Sequence, residues 1–282
     1  MRRSRLIVVY AGLVLWSVEL HSVSALDAPA PSDGTVASVT GDWRRSGKTI
    51  RFGDILPEGT CVTGGAGALV VWWRGQLVSH TCKAPAVSSE CGVSSETGCV
   101  IKVTAPVSDH DPRQSRFAAI VAPLIHEHPL RYLVAASRGI GQRLTEAVVP
   151  LTPPQLDLAP ALAALRSGVY RVRLTSLSAS PSIATRALAI TWTPGTSAFV
   201  PGANIGAGLY RLSLVDENGE SDDDAWVLVS PVDRYETQST AFQEAVELAG
   251  RWPKETTPEA TRAALRAYLE SLSHSNGAVR EP

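Results

Sequence analysis

Residues 168–174 read G-V-Y-R-V-R-L, and residues 208–214 repeat the pattern as G-L-Y-R-L-S-L. Side chains alternate across a strand, so Tyr170, Val172 and Leu174 share one face while Val169, Arg171 and Arg173 share the other. In the second copy Tyr210, Leu212 and Leu214 take the inward side. Each copy opens on a glycine and carries β-branched or aromatic residues, which is the pattern of a strand buried on one face. Around this pair lie further apolar stretches at residues 146–151, 183–192 and 225–229, bounded by proline and glycine. Together they predict a β-rich unit over residues 141–232. One echo of seven residues does not make a solenoid, for which three or more repeats are needed.

Upstream, residues 34–105 hold a second set of short strands. Residues 35–39 and 50–52 alternate, Gly53-Asp54 and Glu58-Gly59 supply turns, residues 68–73 form a continuous apolar run, and residues 99–103 alternate again. This spacing predicts a small antiparallel β-domain. Its segments G-T-V-A-S-V-T-G-D-W, G-K-T-I-R-F-G-D-I-L-P-E-G-T and T-G-G-A-G-A-L-V-V resemble a FecR-type β-domain. The matching positions are Gly34, Val36, Gly41, Gly53, Asp54, Leu56, Gly59, Thr63, Gly64, Ala66 and Ala68. The resemblance implies an extracytoplasmic module, since that family includes periplasmic sensory parts of anti-sigma regulators and many exported proteins. The cysteines of this chain are not part of that pattern, and the regulators' membrane helix has no counterpart in it. By general pattern alone, residues 141–232 resemble an Ig-like or fibronectin-like sandwich without the inter-sheet cysteine pair.

The compartment follows from the start of the chain. Arg2, Arg3 and Arg5 precede an apolar run at residues 6–16, and a polar stretch ends in Val23-Ser24-Ala25. This is the layout of a signal peptide cut after Ala25, with residues 26–33 as a proline-rich tether. The apolar run is shorter than the ~20 residues a bilayer core requires, so no stable membrane anchor is expected. The formal net charge is −1 and the basic residues are scattered, which gives no electrostatic case for nucleic acid. Cys61, Cys82, Cys91 and Cys99 are the four cysteines. An even, clustered set in an exported chain predicts two disulfides; of the three possible connectivities Cys61–Cys82 with Cys91–Cys99 is favoured, because both close short local loops. A zinc site is disfavoured because no C-x-x-C pair is present.

Between the β-units, residues 106–140 read as a connector: one or two helical turns at residues 117–125 broken by Pro123, then an apolar stretch at residues 130–136 read as a strand. The end of the chain reads as a helical hairpin over residues 235–273, followed by a disordered tail at residues 274–282. Thr257 is placed as an N-cap with Pro258 in the first turn, and Ala264, Leu265, Tyr268, Leu269 and Leu272 form one apolar stripe. The expected fold is therefore mainly β: a disulfide-stapled FecR-like domain, an Ig-like sandwich and a C-terminal helical hairpin.

Candidate sites are few. Residues 132–141 resemble the strand-turn-helix fingerprint of short-chain dehydrogenases, but Ala135 stands where the first glycine is needed and no Tyr-x-x-x-Lys follows. His126-Glu127-His128 offers two imidazoles on one strand face to a metal, with a carboxylate opposite and Asp109, His110 and Asp111 nearby, though a charged, proline-flanked loop is the plainer reading. Asp222-Asp223-Asp224, with Glu217, Asn218 and Glu220, reads as a solvated acidic turn, because the calcium-loop frame is absent. No G-x-S-x-G elbow exists. Trp72 and Trp73 are adjacent on a strand and face opposite ways, so one fills the core while the other meets solvent, another domain or a ligand beside Arg74. No cofactor and no metal are expected. The function expected is non-enzymatic: an exported binding or assembly protein whose FecR-like module contacts an envelope protein or polysaccharide. The alternatives are a sensory module serving a separate membrane regulator, and a metal-dependent hydrolase.

Overall fold

The computed structural model describes residues 33–73, 76–82, 91, 98–105, 111–133, 144–177, 187–202, 205–215 and 221–274. The leader, the tether, Arg74, Asp109, His110, the glycine turn after Ala135 and the final tail lie outside the described residues. The first β-unit runs β1 (Asp33–Thr40), β2 (Trp43–Arg45), β3 (Lys48–Thr49), β4 (Ile55–Pro57), β5 (Cys61–Gly64), β6 (Gly67–Trp73), β7 (Gln76–Cys82) and β8 (Cys99–Lys102). These form two four-stranded sheets, ordered β4-β1-β6-β7 and β3-β2-β5-β8. Trp43, Val62, Leu69, Val71 and Trp73 fill the space between them, with Trp43 and Trp73 fully buried. Gly64 is required there: a Cβ would stand 2.6 Å from the Trp43 ring.

The segment read as a connector is helical. α1 (Pro112–Glu127) and α2 (Pro129–Leu133) replace the expected short turns and strand. Asp111 starts α1 by accepting from the Arg113 N–H at 2.9 Å, with proline in the first turn where its missing N–H is harmless. Pro123 lies inside the helix without ending it. Phe117, Ala118, Val121 and Ile125 are buried on one face, and this burial outweighs the local proline penalty.

The second β-unit runs β9 (Ala147–Pro150), β10 (Gln155–Asp157), the single turn α3 (Ala159–Leu162), β11 (Gly168–Ser176), β12 (Leu188–Trp192), β13 (Phe199–Pro201), β14 (Gly208–Val215) and β15 (Ser221–Ser230). A five-stranded sheet has the order β12-β11-β14-β15-β9, antiparallel except for the β15–β9 pair, and β10 and β13 form a separate ribbon. The two echo strands, β11 and β14, are neighbours: Leu174 lies opposite Leu212. Val172, Leu174, Tyr210 and Leu212 are buried against the ribbon and α3, as the alternation predicts, while Val169 is exposed.

α4 (Val232–Gly250) and α5 (Pro258–His274) complete the chain. Thr257 caps α5, its Oγ1 accepting from the Ala260 N–H at 3.2 Å. The hairpin packs with α1 and α2 into one helical layer. That layer has a first β-sheet on one side, through Val70 and Trp72, and the five-stranded sheet on the other, through Val148, Leu209, Trp226 and Leu228. β6 is thus covered on both faces, which is why it reads as an unbroken apolar run.

Candidate functional site

The four cysteines are paired, but not by the shortest loops. Cys61 joins Cys91, and Cys82 joins Cys99. The second bond ties β7 of one sheet to β8 of the other, and the first ties β5 to the chain between them. Strand pairing decides this, because β8 lies beside β5 with Cys99 opposite Gly64 and Cys61 opposite Lys102. The bonds staple two sheets rather than two hairpins. Two disulfides belong to an oxidising compartment. No helix among the described residues is long and apolar enough to cross a membrane.

Trp72 and Trp73 do face opposite ways, and both are enclosed. Trp73 lies between the two sheets at 0% exposure; Trp72, at 4%, meets the helical layer, its ring 5.5 Å from Trp252 in an edge-on contact. Interdomain packing therefore takes the ring that was a candidate for a sugar or peptide. Phe117 closes the cluster, 5.7 Å from Trp252 and 5.2 Å from Tyr268.

His126 and His128 stand at the end of α1, not on a strand. The His126 ring nitrogen Nδ1 lies 2.9 Å from the Gly53 carbonyl, binding the Gly53-Asp54 turn of the first β-unit to the helix. Gly53 takes φ +82°, and a Cβ there would stand 3.1 Å from both the Ile125 carbonyl and Pro129. The turn itself is fixed by Asp54, whose carboxylate accepts from the Arg51 N–H at 2.7 Å, and by the Gly53 N–H donating to Val36 at 2.8 Å. Among the described residues, no three histidine, cysteine or acidic side chains group as metal ligands.

Beside this turn opens a groove of about 560 Å³, where the first β-unit, α2 and the start of α5 meet. Val39, Ile50, Phe52, Pro129 and Leu130 give it an apolar lining, with Arg51 and Asp54 on its rim. Leu130 is 70% exposed. A shallower cleft of about 400 Å³ continues past Leu130 to Glu127, His128 and Arg131. Two hydroxyls that line the groove serve the helix start: that of Ser38 accepts from the Thr257 N–H at 3.2 Å, and that of Thr257 from the Ala260 N–H. The groove can seat an apolar side chain flanked by charges; among its described lining residues no nucleophile stands beside a base.

Comparison with protein-family models, curated proteins and solved structures finds no match to this chain.

The acidic turn is also not what the sequence suggests. β15 begins at Ser221, so Asp223 and Asp224 are strand residues, and Asp224 is buried. They meet a cationic face of α5. Arg262 Nε donates to Glu146 Oε1 at 2.6 Å, Arg266 Nε to the same oxygen at 2.9 Å, and Arg266 Nη2 to Asp224 Oδ1 at 2.9 Å. Arg262 Nη2 also donates to the carbonyls of Leu144 and Asp224. Arg266 is fully buried and its guanidinium lies over the Trp226 ring at 5.8 Å, with Arg131 over the same ring at 5.7 Å. One turn on, Glu270 accepts from Tyr132 Oη at 2.9 Å and pairs with Arg131 at 2.9 Å. Burial, then the Glu270 charge, pushes the Tyr132 phenol far above its ordinary value. This network clamps α5 to β9 and β15. Nothing in the chain near these residues signals it in advance, except that two arginines and a glutamate sit at i, i+4 and i+8 along one helix.

Proposed function

We propose that this is an exported, non-enzymatic protein of the cell envelope, and that it works by seating an apolar side chain of an envelope protein in the groove at the seam of its first β-unit and helical layer. The observation that carries the reading is Leu130, held 70% exposed beside Ile50 and Phe52. A large exposed apolar side chain at the mouth of a pre-formed apolar groove is the usual anatomy of a contact site. Two disulfides support an extracytoplasmic setting, as does the resemblance of residues 34–105 to FecR-type modules. Burial of both Trp72 and Trp73 removes the aromatic platform a neutral sugar would need, so protein is favoured over polysaccharide at this place.

The test is a photo-crosslinking side chain placed at position 130 of the otherwise intact protein, exposed to envelope extract. A discrete protein adduct that Phe52→Ser abolishes, with no glycan binding that depends on Phe52, supports the reading. Adducts that ignore Phe52, or glycan binding that depends on it, overturn it. The FecR resemblance also favours a second reading, a sensory module for a separate membrane regulator. It is distinguished by whether the crosslinked partner is an inner-membrane protein.

A further inference from the structure

The helical layer covers only part of the five-stranded sheet. α4 and α5 lie over β9, β14 and β15. The same face of β11 and β12 is open: Val169, Arg171, Ala189 and Thr191 are exposed, and Arg173 and Thr175 half-buried. The register places Arg171 opposite Ala189, Arg173 opposite Ser213, and Thr175 opposite Arg211. Alternate residues of a strand rise ~6.8 Å, so Arg171 and Arg173 are one such step apart, and Arg211 stands one step further and one strand over. Three arginines thus share one face of the sheet, Arg171 and Arg173 along β11 and Arg211 diagonally beyond them on β14. Arg211 lies 3.7 Å from Asp224, a carboxylate already engaged with Arg266. Neither Arg171 nor Arg173 has a carboxylate partner among the described residues.

We propose that this stripe binds an acidic polysaccharide, whose chain lies along β11 with its carboxylates on the arginines. A guanidinium fork matches a carboxylate in bidentate fashion, and the Thr175 and Thr191 hydroxyls stand beside the stripe to meet sugar hydroxyls. The other occupants fit less well. An anionic membrane surface is held by local clusters of about 4–8 basic residues, more than the three arginines of this face, whereas a narrow linear polyanion can follow a short line of charges. A peptide needs apolar burial, and this face offers only Val169 and Ala189. A neutral glycan needs an aromatic platform, and Tyr170 and Trp192 lie on the opposite face of the sheet.

The surface is independent of the Leu130 groove, and either can fail alone. The probe is polygalacturonate, with the mature, disulfide-intact protein at low salt. Binding is expected, lost at high salt, about tenfold weaker in Arg171→Gln/Arg173→Gln, intermediate in the double lysine variant, and unchanged in Leu130→Asp. Both arginines project from an open face, and identical thermal unfolding of the glutamine variant confirms that the fold is retained. The proposal is overturned by no binding to polygalacturonate, by equal binding to dextran, or by an unchanged affinity of the glutamine variant. It is equally overturned if polyglutamate or phosphatidylglycerol vesicles bind more tightly than the polysaccharide, which would assign the stripe to a protein or a membrane.

Discussion

Replacing Glu146 by glutamine keeps the shape of the side chain and removes the one charge that two buried arginines share. In the native protein a single oxygen, Oε1, accepts from Arg262 Nε at 2.6 Å and Arg266 Nε at 2.9 Å. All three side chains are at most 6% exposed, so water cannot replace the lost acceptor. The terminal Nη1 atoms of both arginines already lack a hydrogen-bond acceptor, which leaves no slack for rearrangement. Charge-assisted bonds contribute about 1.5–3 kcal/mol each, and breaking a buried pair by removing one partner costs about 3–5 kcal/mol. The glutamine oxygen can still accept one of the two bonds, so the lower end applies: about 3 kcal/mol. At roughly 2–4 °C per kcal/mol for a chain of this size, Tm should fall by about 10 °C. Denaturant unfolding of the oxidised protein, followed by tryptophan fluorescence, measures it. In an Arg266→Met background the same change should cost at least about 1 kcal/mol less, because one of the stranded charges is gone. A loss below about 1 kcal/mol, or strict additivity in the cycle, would refute the claim that this carboxylate holds α5 to the sheet.

Trp72→Ala should destabilise by about 3–5 kcal/mol, as expected for truncating a large buried ring, and should raise solvent accessibility at Trp252; a loss under about 1 kcal/mol would mean that the helical layer does not rest on β6. Burial holds the His80 imidazole below its ordinary value of 6.5. The unfolded chain therefore takes up a proton near pH 6.5 while the folded protein stays neutral, so this stability is complete above that pH and is lost as pH falls through the folded value. Denaturant midpoints taken between pH 7.5 and 5 should decline on acidification, and His80→Gln should flatten the decline; an unchanged slope would place its cause elsewhere. Non-reducing peptide mapping should recover Cys61 with Cys91 and Cys82 with Cys99, and recovery of the short-loop pairs would contradict the two-sheet staple.

What the sequence made legible was alternation and capping. Tyr170, Val172 and Leu174 declare one face of a strand, and Thr257-Pro258 declares a helix start, because each signal is local and depends on backbone geometry alone. The disulfide partners were not legible, since they follow from β8 pairing with β5, a contact between residues about forty apart. α1 was hidden by Pro123, whose local penalty is visible while the burial of Phe117, Val121 and Ile125 that offsets it is not. Asp223 and Asp224 looked like a solvated turn for the same reason: only the arrival of α5 from the end of the chain gives them arginines. The groove shares that origin, for its walls are Phe52, Leu130 and Ala260, residues that no local pattern joins.

That one helix decides so much follows from the way α5 is used on every side. A surface helix needs a single apolar stripe, and the stripe at Ala264, Leu265, Tyr268, Leu269 and Leu272 suits that role. Yet Ala260, Ala263 and Ala267 are buried as well, and so are Arg262, Arg266 and Glu270. The small residues let α5 approach its neighbours closely. The charged ones can be enclosed only because Glu146, Asp224 and Arg131 arrive with matching charge, from three other elements. A helix buried on its polar side has no solvated alternative at its place in the fold, so its withdrawal would expose Trp72 on one sheet and Trp226 on the other at once. The two β-units are therefore two faces of one cooperative structure, and the groove at their seam keeps its shape only while that helix is seated.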